Sequence, residues 1–231
     1  MQFFTLVLLI CFFVFLYCVY VLSNDDFIFL RRDVTMEKLF NKIFIGLFVS
    51  LFAARLFYGF FNAKSIFSNL LVFLLVPYFP GLSLLGLIIG VGAYVLFLST
   101  RKQDPLPLER ICDFFSIAFL ISLPIGFIGN LLFLQTRTEM LKVAIQAVSY
   151  FILFIVFLKF FLPRLLTGKF KEGIISLLFL ICFSSVSLIS NAFLKITVLG
   201  YLKNLENIML MLILLLSTGV VFWYGKGNHG T

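Results

Sequence analysis

One charged residue stands inside a nearly all-apolar stretch of the chain. Arg55 lies in LFAARLFYGFFN, residues 51–62, about a dozen residues beyond Lys42. A guanidinium can hold a phosphate through two parallel hydrogen bonds and stays charged at any working pH. Tyr58, three residues on, would add a hydroxyl on the same helix face. Arg55 and Tyr58 are therefore candidates for an anion site that faces the interior of a helix bundle. The alternative is snorkelling, in which the arginine stem lies in hydrocarbon while its head reaches the lipid headgroups.

A second polar residue interrupts another apolar stretch. Asn130 lies in PIGFIGNLL, residues Pro124 to Leu132, together with Gly126 and Gly129. Proline and glycine loosen a helix, and an amide at membrane depth is costly unless it has a partner. Two interpretations of Asn130 are open: contact with a ligand, or a hydrogen bond between helices.

Small residues mark a third stretch, PGLSLLGLIIGVG, residues Pro80 to Gly92. Gly86 and Gly90 are four residues apart and form a small-xxx-small ridge on one helix face. Such a ridge lets another helix, or an acyl chain, approach closely. Plain helix packing is the simpler interpretation of these two glycines.

The sequence predicts neither a metal ion nor a cofactor. Its four cysteines lie in or beside apolar stretches without the spacing of metal ligands, and we interpret them as packing residues. The single histidine, His229, belongs to the polar, glycine-rich tail. We interpret it as a solvated tail residue.

These stretches belong to a membrane protein. The chain is 62% hydrophobic, contains 33 Phe and is only 12% charged, whereas soluble domains are roughly a quarter charged. A span needs about 20 apolar residues to cross a bilayer. Seven stretches approach this length: Phe3 to Leu22, Phe40 to Phe61, Leu82 to Ser99, Ile111 to Leu134, Val143 to Leu162, Ile174 to Phe193 and Ile208 to Tyr224. The shorter piece from Ile66 to Phe79 is predicted to be interfacial or re-entrant.

The loops carry their basic residues unevenly. Twelve Lys and Arg residues lie in or beside the loops after spans one, three and five, or in the tail after span seven. Only five lie in the loops after spans two, four and six. Because cytoplasmic loops are enriched in Lys and Arg, this predicts an external N-terminus and a cytoplasmic C-terminus. The net charge of +8 indicates attraction to anionic lipid rather than to nucleic acid. No long linker divides the chain, which predicts one integral membrane domain over residues 1–231, all-α, with seven transmembrane helices.

Taken in order, these stretches resemble the prolipoprotein diacylglyceryl transferase family. AARLFYGFFN is similar to the family's Gly-Ala-Arg-Leu stretch, and GLSLLGLIIG to its Gly-Leu-Ser-Phe-His-Gly-Gly-Leu-Ile-Gly. GFIGNLLFLQ is similar to its Gly-Arg-Ile-Gly-Asn-Phe-Ile-Asn-Gly-Glu. The upstream LRRDVTMEKL, the seven spans and Asp113 at the head of span four also fit. The resemblance covers nearly the whole chain.

The resemblance implies an enzyme of the bacterial cytoplasmic membrane that moves diacylglyceryl from phosphatidylglycerol to the lipobox cysteine of a prolipoprotein. This chemistry needs cations for the departing glycerol phosphate and help in deprotonating a thiol whose unperturbed pKa is about 8.5. Arg55 and Asn130 are then the catalytic candidates. The substrate-binding candidates are Tyr58, Gly86, Gly126 and Gly129.

The chain also departs from the family pattern. Leu85 and Phe127 stand where the family has histidine and arginine, and Phe133 and Gln135 where it has asparagine and glutamate. Span six contains no arginine, and Ser187 and Asn191 are among its few polar residues. Two hypotheses follow: a divergent transferase, or a catalytically degenerate member that binds a phospholipid or lipoprotein precursor without turnover. A transporter or a plain scaffold is a distant third, because paired intramembrane acids are missing.

Overall fold

The computed structural model describes most of the chain, and every element in the described part is helical. The described residues are 2–24, 26–31, 34–61, 73, 81–100, 107–132, 134, 136–192, 201 and 204–226. The helices are α1 (Gln2–Asn24), α2 (Phe27–Arg31), α3 (Met36–Phe61), α4 (Leu84–Thr100), α5 (Leu108–Leu131), α6 (Arg137–Val156), α7 (Leu162–Leu166), α8 (Ile174–Ala192) and α9 (Leu205–Lys226). A π-helical turn, Phe157–Phe161, joins α6 to α7.

Six helical segments are long and apolar enough to cross a membrane, as in a multi-pass membrane protein. They are Thr5–Asn24, Met36–Phe61, Leu108–Leu131, Arg137–Leu166, Ile174–Ala192 and Leu205–Tyr224. The remaining predicted span is the shorter apolar helix Leu84–Thr100, of 17 residues. The all-α fold is therefore confirmed, and the count of seven is not. The piece predicted to be interfacial, Ile66 to Phe79, lies outside the described residues except for Phe73.

By their internal contacts the residues form two compact units. Unit 1 comprises Met1–Thr5 and Ser23–Leu108, and unit 2 comprises Leu6–Leu22 and Glu109–Thr231. The prediction of a single membrane domain stays a prediction.

In unit 1, α3 and α4 pack closely because small residues face each other. A Cβ added at Gly86 would lie 2.6 Å from the Cβ of Phe57, and one at Gly90 would lie 2.7 Å from the Cα of Ser50. The Gly86–Gly90 ridge is therefore filled by α3, as plain helix packing predicts.

In unit 2, the ends of the helices are fixed by polar side chains. At one end, Lys142 near the start of α6 bonds Asn191 at the end of α8, which in turn bonds Asn207 at the start of α9. At the other end, Asp113 near the start of α5 bonds the backbone at the start of α8. Successive long helices of this unit therefore run in opposite directions, as expected for successive membrane crossings.

Candidate functional site

Arg55 is buried, and two of its hydrogen-bond acceptors belong to unit 1. Its side chain is only 2% exposed. The Nε group donates to the carbonyl oxygen of Phe73 at 3.1 Å, and the NH1 group donates to that of Gly81 at 2.8 Å. A buried cation needs such partners, because no water solvates it. The structure thus agrees with an inward-facing guanidinium and not with snorkelling.

Tyr58 lies beside the same arginine contact. A Cβ at Gly81 would overlap the Tyr58 ring, and Gly81 has φ +155°, a conformation that favours glycine. The carbonyl group of Gly81 accepts the hydrogen bond from Arg55. Arg55 and Tyr58 therefore meet at one glycine, as their spacing on α3 predicts.

The chain that enters α4 is anchored at this place. The backbone N–H of Ser83 donates to the carbonyl of Ala54 at 3.1 Å, and the Ser83 hydroxyl accepts from the N–H of Gly86 at 3.2 Å. The second bond caps the first turn of α4. Gly86 is thus fixed against α3 at Ala53, Ala54 and Phe57. Leu85, at the position where the resemblance has histidine, is 2% exposed and belongs to the core.

The other predicted site residues belong to unit 2. Asn130 is exposed near the end of α5, and its side chain makes no hydrogen bond with any residue that the structure describes. Gly126 and Gly129 face α1: a Cβ at Gly126 would lie 3.5 Å from the sulfur of Cys11, and one at Gly129 would overlap Val7. Gly129 therefore serves close helix packing, whereas a Cβ at Gly126 would make only an ordinary van der Waals contact. Of the two interpretations of Asn130, the described residues give no support to an interhelical hydrogen bond.

An aromatic pair occupies the position where the resemblance has arginine. The Phe127 ring stacks on Tyr150 with centroids 5.6 Å apart and an interplanar angle of 1°. Tyr150 is completely buried, and its hydroxyl lies 3.1 Å from that of Ser187 and donates to the carbonyl of Phe183 at 3.4 Å. This part of unit 2 is held by aromatic contacts, which offer no charge to a phosphate.

A polar cluster that the sequence did not predict lies at one end of unit 2. The Lys142 ammonium donates to the side-chain oxygen of Asn191 at 2.8 Å, and the amide of Asn191 donates to Asn207 at 2.9 Å. Asn207 donates in turn to the carbonyl of Tyr201, also at 2.9 Å. Asn191 was recognised as a polar residue of span six, but its partners lie 49 and 16 residues away, so local sequence patterns carry no signal for them.

Two charged residues at the start of α5, whose partners the sequence did not predict, fix the connection between α7 and α8. Arg110 is 3% exposed and donates to the carbonyl of Leu165 at 3.2 Å. Asp113 is fully buried and accepts from the backbone N–H groups of Gly173 and Ser176, each at 2.8 Å. A carboxylate at a helix N-terminus satisfies orphan donors and complements the helix dipole. In the sequence, these two residues are recognisable as opposite charges three positions apart on one helix face.

No protein-family model matches the chain, and no curated protein and no solved structure matches it either. The resemblance to the transferase family therefore stays a hypothesis.

Proposed function

We propose that the chain is a divergent prolipoprotein diacylglyceryl transferase in a bacterial cytoplasmic membrane. It would use phosphatidylglycerol and a lipobox prolipoprotein as substrates, with its N-terminus outside and its C-terminus in the cytoplasm. The observation that supports this proposal most is the burial of Arg55, held at Gly81 beside Tyr58. An intramembrane arginine enclosed by protein is expensive and is therefore a functional-site hypothesis by default.

In the proposed reaction, the cysteine sulfur forms a bond to the terminal glycerol carbon of diacylglyceryl. The bond from that carbon to the phosphate oxygen breaks, glycerol phosphate leaves, and a base accepts the thiol proton. Arg55 would stabilise the negative charge on the departing phosphate, since a preorganised cation favours charge that develops in the transition state. Two of the acceptors that hold Arg55, the carbonyls of Phe73 and Gly81, are neutral, and a phosphate oxygen is a stronger acceptor than a neutral carbonyl.

The remaining candidates have supporting roles in this proposal. Tyr58 would add a hydroxyl near Arg55, and the exposed amide of Asn130 would donate a hydrogen bond to substrate. Gly86, Gly126 and Gly129 would bind substrate only indirectly, because each lies against a neighbouring helix. No residue is assigned as the base.

A second candidate function is binding of a phospholipid or lipoprotein precursor without turnover. It is favoured by the stack of Phe127 on Tyr150, which occupies the place of a family arginine, and by the buried Leu85 in place of histidine. Each missing charge contact would cost about 10² to 10³ in rate, although such losses are not additive.

One assay distinguishes the transferase from the protein that only binds lipid. The purified protein is incubated with phosphatidylglycerol and a lipobox peptide, and the thioether adduct is followed by mass spectrometry, with a peptide carrying serine in place of the cysteine as the blank. A transferase forms the adduct, and Arg55→Gln lowers its rate about 10²- to 10³-fold. Lys38→Gln is the control, because Lys38 is exposed on the same helix.

One outcome would reject the transferase, and another would reject the role of Arg55 in it. If no adduct forms while phosphatidylglycerol still copurifies, the binding function takes its place. If the adduct forms equally fast with Arg55→Gln, the role assigned to Arg55 is wrong. Arg55→Lys, which keeps a charge, separates loss of catalysis from loss of folding.

A further inference from the structure

The lysine–amide cluster of Lys142, Asn191 and Asn207 is a preorganised polar site. Three side chains from α6, α8 and α9 are joined in series by hydrogen bonds of 2.8 and 2.9 Å. Asn207 is fully buried, whereas Lys142 and Asn191 are half-buried. The buried amide fixes Asn191, and Asn191 fixes the ammonium at the rim of the unit.

Lys142 retains the capacity to bind a further group. Within the part of the chain that the structure describes, its ammonium makes one hydrogen bond, to Asn191. An ammonium carries three N–H donors. Because this bond goes to a neutral amide, it leaves the positive charge of the lysine in place.

The cluster lies at the depth of lipid headgroups. The helical segment Arg137–Leu166 has 30 residues, which corresponds to about 45 Å of helix against about 30 Å of hydrocarbon. Its ends therefore extend into the headgroup region. Lys142 follows Arg137 by five residues, or about 7.5 Å along the axis.

Two acids shape the chemistry of the site. Glu139 lies three residues before Lys142 on α6 and accepts a hydrogen bond from the Thr136 hydroxyl at 2.7 Å through one of its two oxygens, and Glu206 directly precedes Asn207 at the start of α9. Both acids interact electrostatically with the Lys142 ammonium. A simple anion would meet repulsion from these carboxylates. A phosphodiester whose headgroup carries hydroxyl or ammonium donors would instead place its phosphate at Lys142 and its donors at the carboxylates.

An open groove lies further along the same two helices, α6 and α8. Ser149 and Leu153 follow Lys142 by seven and eleven residues and so lie on the same face of α6. Both line a groove of about 380 Å³ between α6 and α8, with Cys182 and Ser185 on the α8 side. This volume falls within the range of about 300–1,000 Å³ of ligand pockets. A groove at this depth suits an acyl chain, which free glycerol phosphate lacks.

We propose that the lysine–amide cluster and this groove bind one membrane phospholipid, with its phosphate at Lys142, the headgroup donors at Glu139 and Glu206, and an acyl chain between α6 and α8. The proposal requires binding and no turnover, and it uses none of the residues assigned to diacylglyceryl transfer. It therefore stands or falls separately from the proposed reaction.

The first test compares ligands on the unaltered protein. Native mass spectrometry of the detergent-purified protein is run with added phosphatidylglycerol, phosphatidylethanolamine, phosphatidylcholine or free glycerol phosphate, and again with Arg55→Gln, so that lipid bound at the proposed transferase site is counted separately. We expect the first two lipids to be retained about tenfold more than phosphatidylcholine, which has no headgroup donors, since a charge-assisted hydrogen bond contributes at least that factor. Equal retention of phosphatidylcholine, or equally tight binding of glycerol phosphate, would overturn the proposal.

The second test changes the site. Lys142→Met should lower retention of phosphatidylglycerol about tenfold, and Lys142→Arg should preserve most of it. The matched control is Lys159→Met, which removes the same charge from an exposed position on the same helical segment. Leu153→Trp, which fills the groove, should lower retention while leaving the cluster intact. Retention by Lys142→Met equal to that by Lys159→Met refutes the headgroup assignment, and unchanged retention by Leu153→Trp refutes the acyl-chain assignment.

Discussion

Replacing Asp113 by alanine should destabilise the protein more than any surface change. This carboxylate is fully buried and accepts two hydrogen bonds of 2.8 Å from Gly173 and Ser176. The two donors belong to the start of α8, 60 and 63 residues away. Its loss leaves two N–H groups of a helix N-terminus without an acceptor, and it also leaves the nearby Arg110 cation without this carboxylate.

The magnitude follows from these contacts. A hydrogen bond to a charged group contributes about 1.5–3 kcal/mol, and breaking a buried charged contact costs about 3–5 kcal/mol. We therefore expect Asp113→Ala to lower the free energy of unfolding by about 3–5 kcal/mol. Asp113→Asn keeps one acceptor oxygen but loses the charge, and should cost about half as much.

The measurement is unfolding in mixed micelles of a mild detergent with increasing dodecyl sulfate, followed by circular dichroism. Glu109→Gln is the matched control, because Glu109 is an exposed acid on the same helix, four residues earlier. If Asp113→Ala unfolds within about 0.5 kcal/mol of this control, the carboxylate does not stabilise the start of α8 and the reasoning is refuted.

Three further predictions can be checked separately. Gly86→Ala should destabilise by about 1–3 kcal/mol in the same unfolding assay, since its Cβ would meet α3. Gly92→Ala, which has open space around it, should be neutral or slightly stabilising, and equal effects of the two would contradict the packing argument. Tyr150→Phe should cost about 1 kcal/mol through its lost hydrogen bond, while unchanged stability would show that the aromatic stack alone suffices. Cysteine-accessibility labelling should place the N-terminus outside and both the C-terminus and residues 23–39 inside, and the finding of both termini on one side would reject that topology.

Hydropathy and length were enough to locate the helices. The ends of the predicted spans agree with the observed helices to within six residues, from Ile174 to Phe193 against Ile174–Ala192 to Val143 to Leu162 against Arg137–Leu166. In a bilayer every backbone polar group needs a partner, and a helix provides it locally. Hydropathy did not distinguish a full span from a shorter apolar helix, as Leu84–Thr100 shows.

Local spacing also identified part of the candidate site. Arg55 and Tyr58 are one turn apart on α3, and both contact Gly81, because i and i+3 positions share a helix face. The burial of Arg55 was expected from the cost of an intramembrane charge without a partner. The identity of its acceptors, the carbonyls of Phe73 and Gly81, was not predicted, since neither follows from helical periodicity.

Only the tertiary structure decided which polar groups meet across the chain. Asp113 reaches the start of α8, Lys142 reaches Asn191, and Tyr150 lies between Phe127 and Ser187. Nothing in the amino-acid pattern near any one of these residues specifies its partner, because the partner depends on how separate helices pack. The sequence by itself determined an all-helical chain that enters the membrane, since apolar composition and backbone hydrogen bonding act locally. Side-chain partners depend on contacts between distant segments, and these exist only in the folded protein.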